Sequence, residues 1–239
     1  MKQKYTLAGI TVLAEYQHEY TKKLCLNYEG GGEVDFEISV TAADVEYERT
    51  VYAKESKTFS DGYLECLALY RKFATRAVDY GVLLFHGSAI SFDGEAYIYT
   101  APSGTGKSTH AHICRQVFGE ERVKYINDDK PLLRLIDGKW RVYGSPWDGK
   151  HRLSTNTDVP LSAICFLRRG ETPSIRRVNK AEVLGDLFSQ VYRPADEAAM
   201  KKTLVLLQSL SETPLWEAHC NISKESAQIT LGNMKGERK

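Results

Sequence analysis

The sequence lacks several features that would assign it to a special class of protein. Nowhere do eighteen apolar residues run together, so no membrane-spanning helix is expected. The 32 basic and 31 acidic residues nearly cancel, which gives no general attraction to nucleic acid or to an anionic membrane. The five cysteines are far apart and without a C-x-x-C pair, which argues against a disulfide framework and a zinc site. We therefore expect a cytoplasmic protein that binds neither nucleic acid nor membranes.

The N-terminal quarter of the chain favours strands. Alternating apolar residues at 23–26 and 34–38 fit strands with one buried face, and the glycines at 30–32 permit a turn between them. The pattern becomes helical near residue 60. The sequence thus predicts a small β-rich unit over residues 1–58 and a mixed α/β domain over residues 59–239.

A long helix and a hairpin are predicted next. Ser60 can cap a helix that runs to about residue 80, and Gly81 can end it in the left-handed conformation. Apolar runs at 82–90 and 96–100 follow, and the Asp-Gly pair between them favours a hairpin. Further strands are predicted at 122–129, 131–142, 161–167 and 215–222, and further helices at 108–118, 180–191 and 195–210.

A glycine-rich loop, residues 101–108 (APSGTGKS), follows the second strand of the hairpin. Gly104 and Gly106 let backbone N–H groups approach phosphates without side-chain bulk. Lys107 offers an ammonium group to the outer phosphates, and Ser108 can bind magnesium where a helix begins. An ordinary strand-to-helix turn is the alternative. The predicted nucleotide-binding residues are Ser103, Gly104, Thr105, Gly106, Lys107, Ser108 and Thr109.

Two adjacent acids follow the loop in sequence. Ordinary phosphate-loop enzymes carry an apolar run that ends in an aspartate near magnesium. Here the segment 125–129 (YINDD) is only weakly apolar and ends in Asp128 and Asp129. Adjacent residues of a strand point to opposite sides, so both acids can reach one site only at a strand end or a bulge. Otherwise this segment is a solvated strand end.

The order of these motifs resembles a known family. His86-Gly87, the hairpin, the phosphate loop and Asp128-Asp129 are similar to the C-terminal kinase domain of HPr kinase/phosphorylase, whose fold resembles phosphoenolpyruvate carboxykinase. The distance from His86 to Lys107 is also that family's spacing. The resemblance implies an HPr-kinase-like α/β core with a mixed sheet, and a kinase that uses ATP and Mg²⁺ to phosphorylate a serine hydroxyl on a protein.

The resemblance also implies roles for individual residues. Lys107 would contact the phosphates, Asp128 is the candidate base, and His86 would tune the base or the substrate. Arg168 follows a predicted strand and can supply positive charge at the transferred phosphate, although a surface arginine pair at a turn is the alternative. The predicted catalytic residues are His86, Lys107, Asp128 and Arg168, and the predicted metal ligands are Ser108 and Asp129. The division of labour between the two acids stays open.

The segment 144–151 (GSPWDGKH) departs from the usual text of that family. It resembles the short HPr-kinase-like proteins encoded beside peptide-modification genes, in which a Pro-Trp segment follows the paired acids. Such a turn could bring Trp147 against a base or substrate, Asp148 near the metal and Lys150 near phosphate. A plain polar turn with a half-buried tryptophan is the alternative.

Together these features predict transfer of the γ-phosphate of ATP to a hydroxyl, with serine of a peptide or small protein as the favoured acceptor. Because the resembled family forms assemblies, a homo-oligomer is also an expectation. Three alternatives stay open at this point: a small-molecule kinase, for instance for free serine, a carboxykinase-like enzyme, and a nucleotide-dependent binding module without catalysis.

Overall fold

The computed structural model describes residues 1–53 and 58–236. Across these residues, twelve strands form a small and a large β-sheet that are packed with α-helices, so the predicted mixed α/β class is confirmed. In chain order the elements are β1 (Lys2–Leu7), β2 (Ile10–Glu15), α1 (Glu19–Cys25), β3 (Phe36–Ser39), α2 (Ala42–Tyr52), α3 (Asp61–Ala77), β4 (Val82–Leu84), β5 (Ser88–Phe92), β6 (Glu95–Thr100), α4 (Lys107–Phe118), β7 (Val123–Asn127), β8 (Leu132–Ile136), β9 (Lys139–Tyr143), β10 (Asp158–Arg169), β11 (Ser174–Arg177), α5 (Lys180–Gln190), α6 (Glu197–Leu210), β12 (Leu215–Cys220) and α7 (Lys224–Gly236).

The small sheet is N-terminal, in the order β1-β2-β3. The predicted strand at 34–38 is present in part as β3, but the one predicted at 23–26 is wrong, because residues 23–25 belong to α1 and Leu26 begins a 3₁₀ turn. Glu65 explains the helix: its buried carboxylate accepts hydrogen bonds from the backbone N–H of Gln17 and of His18 and from the Thr21 hydroxyl. These donors lie at the start of α1, where N–H groups lack helical partners.

Helix α2 was not predicted, and its start has a local cause. Thr41 accepts a hydrogen bond from the N–H of Asp44, and the Asp44 carboxylate accepts one from the N–H of Thr41. This reciprocal capping box stabilises the first turn. The small sheet shares a hydrophobic cluster with α3, in which Tyr5, Ile38 and Phe73 are buried. The predicted boundary near residue 58 stays a prediction, and residues 54–57 of the N-terminal unit lie outside the described residues.

Helix α3 follows the sequence prediction closely. The Ser60 hydroxyl accepts a hydrogen bond from the N–H of Tyr63, and α3 continues through a 3₁₀ turn to Tyr80. Gly81 then ends it with a φ of 75°. A side chain at Gly81 would lie 3.1 Å from the carbonyl oxygen of Leu135, so both the backbone conformation and the close approach require glycine.

The large sheet is mixed, and its main path has the order β4-β8-β9-β10-β6-β5-β7. Outside this path, β12 pairs with β10, and β11 pairs with β12. The predicted hairpin is confirmed as β5 and β6, and a second hairpin joins β8 to β9 through a turn at Asp137-Gly138. The continuous strand predicted at 82–90 is wrong, because the chain leaves β4 before β5 begins. There the N–H of His86 donates to Gln190 and the N–H of Gly87 donates to Asp129. The bond to Asp129 places residues 86–87 beside the loop after β7.

Helices cover both faces of the large sheet. Side chains of α4 and α7 pack on one face, and side chains of α5 and α6 pack on the other. Neither β11 nor α7 was predicted from the sequence, although Ala227, Leu231 and Met234 of α7 are buried one turn apart. Within residues 1–53 and 58–236, no helix has the length and apolarity needed to cross a bilayer.

His110 joins α4 to α7 as a buried neutral residue. It is 3% exposed, its Nε2 lies 2.8 Å from the Thr230 hydroxyl, and its ring meets the edge of Tyr99. Burial lowers the pKa of His110 from 6.5 to about 4. Between these pH values the unfolded chain binds more protons than the folded chain, so stability falls as the pH falls.

We predict that His110→Gln, which retains a hydrogen-bonding group without the titration, reduces this acid sensitivity. The free energy of unfolding should lose about 2 kcal/mol less between pH 7 and pH 5 than in the wild type. Urea denaturation at the two pH values measures the difference. An unchanged pH dependence in the variant would contradict the role given to His110.

Candidate active site

The phosphate loop joins the end of β6 to the start of α4, as predicted. Gly104 and Gly106 have φ values of 79° and 115°, and a side chain at either position would meet no atom within 4 Å. Backbone conformation, rather than crowding, therefore requires these glycines. Gly106 precedes α4 without a side-chain cap, so the first N–H groups of α4 are available to an anion. Arg169 holds the loop from outside through a 2.6 Å hydrogen bond to the carbonyl oxygen of Gly104.

A cavity of about 490 Å³ opens over this loop, and we call it the phosphate cavity. It brings most of the predicted site residues together, although they come from β6, α4 and the turns after β4, β7 and β9. The lining residues are His86, Ser103, Gly104, Gly106, Lys107, Ser108, Thr109, Asp128, Asp129, Gly149, Lys150 and His151. The last three of these belong to the segment after the Pro-Trp pair. Thr105 does not line this cavity; its hydroxyl and its N–H both donate to Pro102.

Lys107 is buried in the loop that it serves. Its side chain donates to the carbonyl oxygen of Ala101 at 2.9 Å and to that of Pro102 at 3.4 Å. Burial lowers the pKa of Lys107, while the nearby carboxylates of Asp129 and Asp128 act in the opposite direction. A cation held by neutral carbonyl groups has much to gain from phosphate oxygens in the same cavity.

Asp128 points toward the loop helix. Its side chain is buried, and the Ser88 hydroxyl donates to its carboxylate at 2.7 Å. Burial raises the pKa of Asp128, whereas hydrogen bonding from Ser88 and Ser108 and the proximity of His151 lower it. A cation beside Ser108 would stabilise the charged carboxylate in the same way.

Asp129 lies on the other side, beside His86. Its carboxylate is 3.5 Å from the Nε2 of His86 and 3.0 Å from the ammonium group of Lys130. The Nδ1 of His86 lies 2.9 Å from the amide oxygen of Gln190, which can only accept, so Nδ1 carries the hydrogen. Burial lowers the pKa of His86 to about 4, helped by the charges of Lys130 and Lys107. At neutral pH, Nε2 and Asp129 are therefore both acceptors, and a hydroxyl hydrogen could enter between them.

Asn127 explains how two adjacent acids can both reach one site. Its role was not predicted from the sequence. Its buried side chain donates to the backbone and hydroxyl of Ser145 and accepts from the N–H groups of Asp129 and Lys130. The pairing of β5 with β7 is also irregular beside Asn127. The acids thus follow a strand end with an Asx turn. The only sequence signal was an asparagine directly before two acids.

Arg168 does not reach the phosphate cavity. It pairs with Asp186 and Glu217, which come from α5 and β12. Of the two adjacent arginines, Arg169 is the one that contacts the loop, through Gly104. Arg168 therefore fits the alternative of a structural arginine in surface ion pairs, and it does not lie where a transferred phosphate would bind.

The segment after β9 contributes to two cavities. Lys150 lines the phosphate cavity, as the resemblance implied. Trp147 is buried against Tyr70, with ring centroids 5.3 Å apart, and it does not line that cavity. Asp148 pairs with Arg152 at 3.3 Å, and burial raises the pKa of Asp148.

The chemistry of these donors fits Mg²⁺ and a polyphosphate. Among the described residues, no group of three or more His, Cys, Asp or Glu side chains is arranged to hold a metal. Mg²⁺ does not need such a cage, because it binds through one or two carboxylates together with substrate phosphates and water. Ser108 and Asp128 supply that kind of incomplete ligand set.

A second cavity, of about 590 Å³, lies beside the loop and shares Gly104, Gly106 and Thr109 with the phosphate cavity. Its walls include the apolar side chains of Ile113 and Leu167, and the mouth carries Ile222, which is 84% exposed. We call it the lateral cavity. Its apolar walls suit a flat organic group more than a phosphate.

Comparison with solved structures gives distant matches. The structure of the HPr(Ser) kinase/phosphatase from Coxiella burnetii matches with a TM-score of 0.38 and 10% sequence identity, over 65% of this chain and 99% of that one. No protein-family model and no curated protein matches the sequence. The functional assignment therefore depends on the residues of the cavity itself.

We predict that Gly104→Ala weakens ATP binding by about tenfold, because an L-residue costs about 1 to 2 kcal/mol in the left-handed conformation that orients the loop. Isothermal titration calorimetry with Mg²⁺ and ATP measures the Kd. Gly138→Ala is a matched control, because Gly138 has a φ of 74° and equally open surroundings in a remote hairpin. Equal Kd values for the two variants would contradict the role of the loop.

Proposed function

We propose that this protein is an ATP- and Mg²⁺-dependent kinase that transfers the γ-phosphate to a hydroxyl, with serine of a peptide or small protein as the acceptor. One observation carries the proposal: a single cavity contains the phosphate loop, the Lys107 ammonium group and Asp128 on one side, and the His86–Asp129 pair on the other. The His86–Asp129 pair places a candidate base beside the phosphate site, which a module that only bound nucleotide would not need.

The adjoining cavities suggest how ATP binds. The loop N–H groups, Lys107 and the first turn of α4 would hold the triphosphate in the phosphate cavity. The shared residues Gly104 and Thr109 would let the nucleoside continue into the lateral cavity, between Ile113 and Leu167. Arg169, which contacts Gly104, would also fix the loop relative to the nucleoside.

The contacts of the acids support a division of labour opposite to the one first expected from the sequence. Asp128 is close to Ser108, so these two residues would bind Mg²⁺. Asp129 is beside His86 and faces the acceptor side, so it would be the base. From the sequence alone, Asp128 was the candidate base and Asp129 the metal ligand.

Transfer requires little covalent chemistry from the protein. The acceptor oxygen attacks the γ-phosphorus, the bond to the β–γ bridging oxygen breaks, and ADP leaves with that oxygen. Asp129 takes the hydroxyl proton. The neutral Nε2 of His86 accepts from the same hydrogen before transfer and so helps to orient the hydroxyl. Lys107 and the loop N–H groups stabilise the charge on the phosphates. Bound Mg²⁺ would add charge neutralisation at the same oxygens.

We predict that Lys107→Ala weakens ATP binding by at least about a hundredfold, since it removes a buried charge-assisted contact worth about 3 kcal/mol or more. Incubation with γ-labelled ATP, Mg²⁺ and a library of serine-containing peptides should label peptide for the wild type but not for Lys107→Ala. Lys201→Ala removes an exposed cation from α6 and serves as the control, which should label peptide as the wild type does. Labelling by Lys107→Ala at the wild-type rate would overturn the proposed function.

We predict different defects for the two acids. Asp129→Asn should lower kcat by at least about a hundredfold with little change in ATP affinity, as for loss of a general base. Asp128→Asn should weaken Mg²⁺-dependent ATP binding. Single-turnover kinetics and calorimetry separate the two effects. The reverse result would assign the base to Asp128, and retention of transfer in both variants would argue for another mechanism.

A further inference from the structure

A third cavity adjoins the phosphate cavity on the side of the His86–Asp129 pair. It has a volume of about 520 Å³ and shares Asp129, Gly149 and Lys150 with the phosphate cavity. Aromatic side chains dominate its walls, so we call it the aromatic groove. Its apolar and aromatic lining residues are Tyr20, Leu24, Tyr52, Tyr63, Leu67, Tyr70 and Trp147.

Helix α3 presents one face to this groove and another to the core. Tyr63, Leu67 and Tyr70 are only partly buried, and their spacing of four and three residues places them on one side of the helix. Leu64 and Ala68 are fully buried on the other side of the helix. Tyr70 both lines the groove and packs against the core cluster. Helix α3 therefore turns a row of large side chains toward the groove.

The remaining walls are held in place by specific contacts. The Trp147 indole N–H donates to the carbonyl oxygen of Cys66 at 3.3 Å, which fixes the ring against α3. Arg152 contacts the Asp148 carboxylate at 3.3 Å and the Tyr20 hydroxyl at 3.2 Å. The groove thus has a defined shape between the N-terminal helices and the segment that follows the paired acids.

We propose that the aromatic groove binds the peptide acceptor through an aromatic or large aliphatic side chain next to the phosphorylated serine. This inference rests on the proposed function, since it places the acceptor hydroxyl at Asp129, where the two cavities meet. A free amino acid would fill little of a cavity of this size, whereas a flanking apolar side chain would bury surface against the rings.

The charges of the groove define the peptide further. Lys130, Lys150 and Arg152 line it, and they outnumber the carboxylates of Asp129 and Asp148. Lys130 and Arg152 are paired with these two carboxylates, so Lys150 is the surplus charge, and a lysine or arginine beside the serine would meet like charge there. The preferred acceptor is an uncharged or acidic segment with a bulky apolar residue next to serine.

The first test is a peptide library with a central serine and one varied flanking residue, assayed with labelled ATP and compared with free serine. Peptides with Phe, Tyr, Trp, Leu or Ile should be phosphorylated at least about tenfold more efficiently than those with Gly, which corresponds to about 1.4 kcal/mol of side-chain burial. Lys and Arg should give the poorest peptides. Equal phosphorylation of all the peptides, or of free serine and the best peptide, would overturn the proposed role of the groove. Neither result would contradict the proposed kinase activity.

The second test blocks the groove from α3. Leu67→Arg should raise the KM for a Phe-flanked peptide by at least about tenfold, by filling the groove and adding like charge, with ATP affinity unchanged. Val205→Arg is the matched control, because Val205 is 68% exposed on α6. Leu67→Ala, with a smaller increase, guards against misfolding of the arginine variant. An unchanged KM in both Leu67 variants would overturn the proposal.

A binding assay separates the two proposals. Fluorescence polarisation with a labelled Phe-flanked serine peptide and a non-hydrolysable ATP analogue reports groove binding without transfer. Binding that depends on Leu67, with no transfer to any peptide, would support the groove and overturn the proposed kinase activity. Absence of both binding and transfer would overturn both.

Discussion

The candidate site depends on the hydrogen bonds of one buried amide. Asn127 joins the end of β7 to Ser145, and Ser145 in turn donates to Lys130 and accepts from the N–H of Trp147. The oxygen of the same amide accepts from the N–H of Asp129 and so holds the turn in which Asp128 and Asp129 lie. Because an unpaired buried amide is costly, these partners must stay together. One side chain thus couples the direction of both acids to the position of the tryptophan segment.

The phosphate cavity shares residues with the lateral cavity and with the aromatic groove. Apolar walls lie on one side of the phosphate loop, and aromatic walls lie beyond Asp129 on the other. The loop and Asp129 are the shared boundaries. In the proposed reaction, the nucleoside, the phosphate chain and the acceptor side chain would occupy these three cavities in turn.

Several local features were predicted from the sequence, although α2 was missed despite its local capping box, and features that depend on long-range contacts were predicted poorly. The loop, the α3 cap at Ser60 and the hairpin before the loop are set by neighbouring residues, and each was found. Helix α1 was missed because its start depends on Glu65, which lies far along the chain. Gln190 and Ser88 beside the acids were missed for the same reason, and Arg168 was predicted at the phosphate because its partners Asp186 and Glu217 could not be foreseen.

The Glu65 anchor has a consequence for how this protein could change over evolutionary time. Helix α1 is held to α3 by a buried polar contact, whereas the neighbouring residues Tyr63 and Leu67 face the groove. Substitutions on that face leave the anchor, the core and the phosphate loop untouched. Relatives could therefore acquire new acceptors by altering a few positions of α3, while the machinery for nucleotide chemistry stays the same.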